Sequence, residues 1–174
     1  MPAQHVAWID GRYVPLAEAA LSVFDAGVTT GATVTERLRT FRHEPFLLDE
    51  HVSRLADSAA AAFVPLRAPP GEIAALIREV VRRNAALLPA EDDLAVAAFA
   101  TPGTEAGPTL CVHATPIPAR LYAEAYEDGI RLVTPPTRAM PAETLSPQIK
   151  TRSRLHWHVA DAQAERTEPG AKAL

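Results

Sequence analysis

Lysine is almost missing from this chain. Of its 17 cationic residues all but two are arginine, and the exceptions are Lys150 and Lys172. Cysteine is scarcer still: Cys111 alone cannot form an internal disulfide, and the apolar stretch TLCVHA around it reads as a buried small hydrophobe. A lone thiol suits a reducing compartment, so a cytoplasmic location is expected. No run of about 18 apolar residues occurs, which predicts no membrane-spanning helix. The opening MPAQHVAWIDGRYVP has no basic stretch leading into an apolar one, so no secretory signal is expected. Positive charge is not in excess either. A net charge of −4 gives no footprint for nucleic acid or an anionic membrane, and the one basic stretch, KTRSRLHWH, carries a single aromatic residue.

What is present describes a globular protein: 48% hydrophobic and 22% charged residues over 174 positions, enough for one domain or one and a half, with no internal repeat. HVAWIDGRYVP predicts a hairpin turning at Asp10-Gly11. ATVTERLRTF alternates, with Val34, Glu36, Leu38 and Thr40 on one face and Thr35, Arg37, Arg39 and Phe41 on the other. RHEP then turns that strand back into Phe46–Leu48 as a second hairpin. Beyond it Leu48, Val52, Leu55, Ala59 and Ala62 recur at helical spacing, with Asp49 as the expected N-cap. A second helix carries Ile73, Leu76, Ile77, Val80 and Val81. DLAVAAFATPG and TLCVHATPIP predict two further strands, ARLYAEAYEDG a linker helix stopped at Gly129, and IRLV another strand. A last helix is expected to bury Leu155, Val159 and Ala162. The order predicts an α+β fold (α/β mixed): residues 1–118 as an antiparallel sheet with two packed helices, 119–128 as a linker, and 129–174 as the start of a second domain.

Lys150 is the candidate for chemistry. Arginine cannot give up its proton in a protein, whereas a lysine can become a base or a carbonyl-capturing nucleophile. A position at a helix start, with Arg152 and Arg154 close by, would favour the neutral amine. The competing reading is a surface lysine on a solvated basic face. His156-x-His158 does not read as a metal site, because helical spacing turns the two rings about 200° apart, and no metal is expected. His113 reads as a satisfied core histidine, His51 as a solvated helix residue within reach of an anion, and Trp8, Trp157, Tyr122 and Tyr126 as packing residues.

Four stretches, in order, resemble the class IV, fold-type-IV aminotransferases that use pyridoxal phosphate: AWIDGRYVPLAEAALSVFDAGVTTGATVTERLRTF, FLLDEHVSRLADSAAAAF, the ATPGT turn and IKTRSRLHWHVADAQAE. The family takes in branched-chain and D-amino-acid aminotransferases and aminodeoxychorismate lyase. The resemblance implies that Lys150 is the Schiff-base lysine and proton shuttle, and that Arg54 contacts the cofactor phosphate. Glu36 corresponds to the strand glutamate, and Thr35 to the pocket residue before it, often aromatic in relatives. Leu155 does not supply the tyrosine of the branched-chain enzymes. EAGPTL, following ATPGT, lacks the Arg and His carboxylate trap of the D-amino-acid enzymes. Implied too are a homodimer, small amino-acid and keto-acid substrates, and either amino-group transfer or lyase chemistry. Family members continue through a glutamate facing the pyridine nitrogen and Gly/Thr-rich phosphate-binding turns, so GAKAL falls before a complete site. A non-catalytic fold remnant or interaction module is therefore the alternative of a different class.

Overall fold

The computed structural model describes residues 4–174, which divide into two compact units: residues up to Ile117 together with Gln148–Arg152, and Pro118–Pro147 with Ser153–Leu174. In the first unit β1 (Val6–Ile9) and β2 (Arg12–Pro15) form the expected hairpin. Asp10 and Gly11 both take positive φ, 46° and 91°, the backbone that a two-residue turn between twisted strands requires. The short helix α1 (Ala26–Thr29) is capped by Asp25, whose carboxylate accepts from the Gly27 amide at 2.7 Å. The same buried carboxylate accepts from Thr101 and Thr109, each at 2.7 Å, so the Asp-x-Gly stretch fastens a loop to the sheet.

Strand β3 (Val34–Phe41) alternates as the sequence predicts, but its return does not. After Arg42 and His43, both at positive φ, only Glu44–Pro45 pair back as β4. Helix α2 (Leu48–Ala61) then starts from Leu47 in the left-handed conformation, at φ 49°. Asp49 is thus not the N-cap. It lies inside the first turn with Glu50, where a carboxylate complements the helix dipole. Helix α3 (Pro70–Ala85) begins with proline at its first position, where the missing N–H has no helical partner to lose.

Strands β5 (Leu94–Thr104) and β6 (Gly107–Pro116) complete an antiparallel sheet ordered β2-β1-β6-β5-β3-β4. Helices α2 and α3 cover one face, packing Val52, Leu55, Ile73, Ile77 and Val80 against Val34, Leu38, Val96 and Val112. On the other face Ile9, Phe99 and Cys111 form a smaller cluster. Burial pushes the Cys111 thiol up to about 12. Cys111 is therefore expected to stay inert to a thiol reagent in native protein at pH 8 and to react at once in denaturant. The ATPGT stretch is an irregularity within the β5–β6 ladder, the register shifting between Thr101 and Thr104. Gly103 there has φ 76°, and a Cβ would run into the Gly107 carbonyl. Gly103→Ala should lower stability by about 1–3 kcal/mol, read from the urea midpoint.

In the second unit α4 (Ala119–Asp128) ends at Gly129, φ 74°. Strand β7 (Leu132–Val133) follows, then α5 (Leu155–Thr167) and β8 (Lys172–Ala173), which pairs parallel to β7. Lys172 is in this strand, its amide bonded to the Arg131 carbonyl. Helix α5 buries Ala160 and Ala164, while Leu155 is 74% exposed; small residues pack where the apolar periodicity points to larger ones. Tyr122, Tyr126 and Trp157 are exposed as well, against the expectation of packing residues. Trp8 does pack, in the main core. Among the described residues no helix is long and apolar enough to cross a membrane.

Candidate active site

Glu36 is the centre of the site. Its place on β3 points it to the helix-covered face, where its side chain is 1% exposed. A carboxylate so far from water needs partners. Arg54, on α2, supplies two donors: Nε donates to Oε1 and Nη2 to Oε2, each at 2.7 Å, the bidentate geometry for which a guanidinium is shaped. His51, one turn earlier, brings Nδ1 to 2.8 Å from Oε2. Lys150 brings Nζ to 3.8 Å from the same oxygen. Burial works to raise the Glu36 carboxyl. The hydrogen bonds from Arg54 and His51 and the charges of Lys150 and Arg54 outweigh it together, holding the group below the ordinary carboxylate range.

Lys150 is delivered by its main chain. Ile149 packs on the core, the Lys150 amide donates to Ser58 Oγ on α2 at 3.1 Å, and its carbonyl accepts from the Thr35 amide at 2.9 Å. With the Arg152 amide on the Thr33 carbonyl and a bridge between Val34 and Thr151, residues 149–152 form a strap along the free edge of β3. Lys150 is therefore not at a helix start. The α5 helix begins at Leu155, and what holds the lysine is a sheet edge and a buried carboxylate.

Thr35, on the sheet face away from Glu36, is buried and donates its hydroxyl to the Ala98 carbonyl at 3.0 Å. His51 is neither a solvated helix residue nor an isolated anion contact, since it is committed to Glu36. Arg54 pairs with Glu36 and not with the nearby Asp57 or Ser58. The Glu36–His51 link could be sought from sequence only by combining strand and helix phases. Each residue is unremarkable alone, and they stand 15 positions apart. His113 fails the expectation of a satisfied core histidine: its Nδ1 is buried with no hydrogen-bond partner. His156 and His158 both lie on α5.

The donor set suits a phosphorylated aldehyde. An amine for the carbonyl and a guanidinium for the phosphate are both drawn to one carboxylate. Arg54 spends Nε and one side of Nη2 on Glu36, leaving the Nη1 edge of a half-exposed side chain to meet an anion.

Comparison with known proteins gives this arrangement its class. The chain is similar to a T.th. branched-chain amino acid aminotransferase solved with pyridoxamine 5′-phosphate, at 27% identity and a TM-score of 0.82, covering 98% of this chain and 58% of that one. The fold is that of the fold-type-IV aminotransferases. Residues 33–171 match the family model described as amino-transferase class IV, and the chain belongs to that family. Curated relatives include a putative branched-chain-amino-acid aminotransferase of Methanocaldococcus jannaschii, 30% identical over 161 residues, which are 90% of this chain and 54% of the relative. An aminodeoxychorismate lyase of Bacillus subtilis is 31% identical over 77 residues, 44% of this chain and 26% of the lyase. The chain thus spans about half the length of the branched-chain relatives it matches.

Proposed function

We propose that this chain carries the reactive lysine of a pyridoxal-phosphate-dependent aminotransferase that moves an amino group between a small amino acid and a keto acid. The observation that supports it most is the strap: three contacts made by residues 149 and 150 fix the main chain of one of only two lysines, so that its amine meets a buried carboxylate. Pyridoxal phosphate, when bound, supplies the electron sink for carbanion chemistry at the substrate's Cα. Lys150 would hold the cofactor through Nζ and, once displaced by the incoming amino group, would take the Cα proton and return it. Arg54 would offer its Nη1 edge to the phosphate. Glu36 keeps that guanidinium aimed, and Thr35 would line the substrate side.

The remaining features of the reading follow the family. Residues 119–128 connect the sheet domain to a second domain opening at 129, and the protein acts as a homodimer in the cytoplasm. Exposed Val23, Phe24 and Val28 offer apolar surface to a second copy, and the unpaired Cys111 suits a reducing compartment. The test is to mix the chain with pyridoxal phosphate, reduce with borohydride and map the peptides. A pyridoxyl group on Lys150 is expected. Label on Lys172 alone, or none, would leave a fold without its chemistry.

A further inference from the structure

The sheet face away from the helices carries a cationic cluster that the reading above does not use. Alternation along β3 sets Arg37 on that face with Thr35. Its register partner on β5 is Ala97, whose partner on β6 is His113. Arg37 and His113 therefore flank an alanine floor at about 10 Å, two strand spacings apart. Arg152 closes the third side, its guanidinium carbon 4.6 Å above the ring of Phe99, which lies two residues along β5 from Ala97.

Three donors here lack acceptors. Among the described residues neither the Arg37 nor the Arg152 guanidinium makes a hydrogen bond or ion pair. By contrast Arg39, Arg54, Arg67, Arg82 and Arg83 are all matched to carboxylates. His113 Nδ1 is buried without a partner, which is costly for a polar atom. Burial, then the charges of Arg152 and Arg37, holds the His113 ring below its ordinary value. The acids nearby are otherwise engaged. Asp10 is taken by Arg67 and the Leu110 amide, and Glu36 lies on the opposite face of β3.

We propose that Arg37, Arg152 and His113 form a carboxylate-binding site that holds a carboxylate of the acid substrate on the sheet face away from Glu36. One guanidinium takes the carboxylate edge-on, while the other and the imidazole complete its lone pairs. The site adjoins the reactive lysine through the chain itself. Arg152 lies two residues beyond Lys150, and Arg37 two residues beyond Thr35, whose amide holds the Lys150 carbonyl. It supplies from the sheet face the charge that EAGPTL does not carry after the ATPGT turn. The assignment of the ligand as substrate rests on the proposed role of Lys150.

The experiment is a calorimetric titration of the 174-residue chain with 2-oxoglutarate, pyruvate and sulfate, repeated on Arg37→Gln and Arg152→Gln. Both variants alter exposed side chains, so folding should be preserved, and the imidazole resonances of His113 report occupancy independently of turnover. Each substitution should weaken 2-oxoglutarate by about tenfold, the scale of one charge-assisted hydrogen-bonded contact. Binding of pyruvate with similar strength would assign the site to the carboxylate next to the carbonyl, and binding of 2-oxoglutarate alone to the distal one. No binding, no change in either variant, or equal binding of sulfate would overturn the proposal. The borohydride label separates the two readings: a labelled Lys150 with no carboxylate binding removes only this site, whereas carboxylate binding with an unlabelled Lys150 removes the cofactor role and leaves the anion site.

Discussion

Glu36→Ala should cost about 2 kcal/mol of folding stability, seen as a lower urea midpoint with an unchanged slope. Taking one partner from a fully buried ion pair typically costs ~3–5 kcal/mol, because the other charge is stranded. Here the loss is smaller, since the Arg54 side chain is half exposed and can turn into water. His51, with a side chain only 19% exposed, loses its best acceptor and has less room to compensate. Glu36→Gln keeps the volume and should show the electrostatic part alone. The folded-state carboxyl lies below its ordinary value of 4.5, so its contribution is complete above that pH and fades as pH falls through the lowered value. In Glu36→Gln this share of the acid loss should vanish, giving a flatter stability profile below pH 4.5. An unchanged acid limb would mean that the carboxylate is not held by Arg54, His51 and Lys150.

Lys150→Ala should remove every trace of borohydride-trapped pyridoxyl label from peptide 146–166 while moving stability by no more than about 0.5 kcal/mol. The two halves of that expectation have different origins. The strap is fastened by Ile149, by the amide to Ser58 and by the carbonyl to Thr35, and alanine keeps all three. The ion pair given up is long, 3.8 Å, and partly solvated, so its loss is small. Nucleophilicity at the carbonyl of the cofactor, in contrast, resides wholly in the amine. A variant that still took label at residues 146–166 would sink the assignment. One that unfolded would show the side chain to be structural.

Much of this is legible in the sequence wherever a local rule is sufficient. Asp10-Gly11 announces its turn, the alternation from Val34 to Phe41 sorts Glu36 from Thr35, and the rarity of lysine singles out Lys150. The failures share a cause: tertiary pairing that local period does not carry. Leu47 caps α2 through backbone conformation and not a side-chain oxygen, so Asp49 is the natural but mistaken choice. The turn of three residues between His51 and Arg54 sets both on one carboxylate only because β3 lies beneath α2. Apolar periodicity in α5 points to Leu155 and Val159, yet the side that packs is the one with alanines, where backbones approach closely. Lys150 reads as a helix-start residue because Leu155 begins a helix so soon after it. The edge of β3, contributed more than a hundred residues earlier, is what it meets first.

The strap has a consequence for how the chain is made. Until residues 150–152 have been synthesised, the chain at the start of β3 shows a bare Thr33 carbonyl and a bare Thr35 amide, a template on which another nascent chain could pair. The closing contacts, Lys150 to Thr35 and Arg152 to Thr33, come last along the sequence and span the longest loops in the first unit, so they are slow to find by chance. A chaperone or a short peptide matching 149–152 should therefore raise refolding yield at high protein concentration, by shielding that edge through the interval in which the sheet exists and its cover does not.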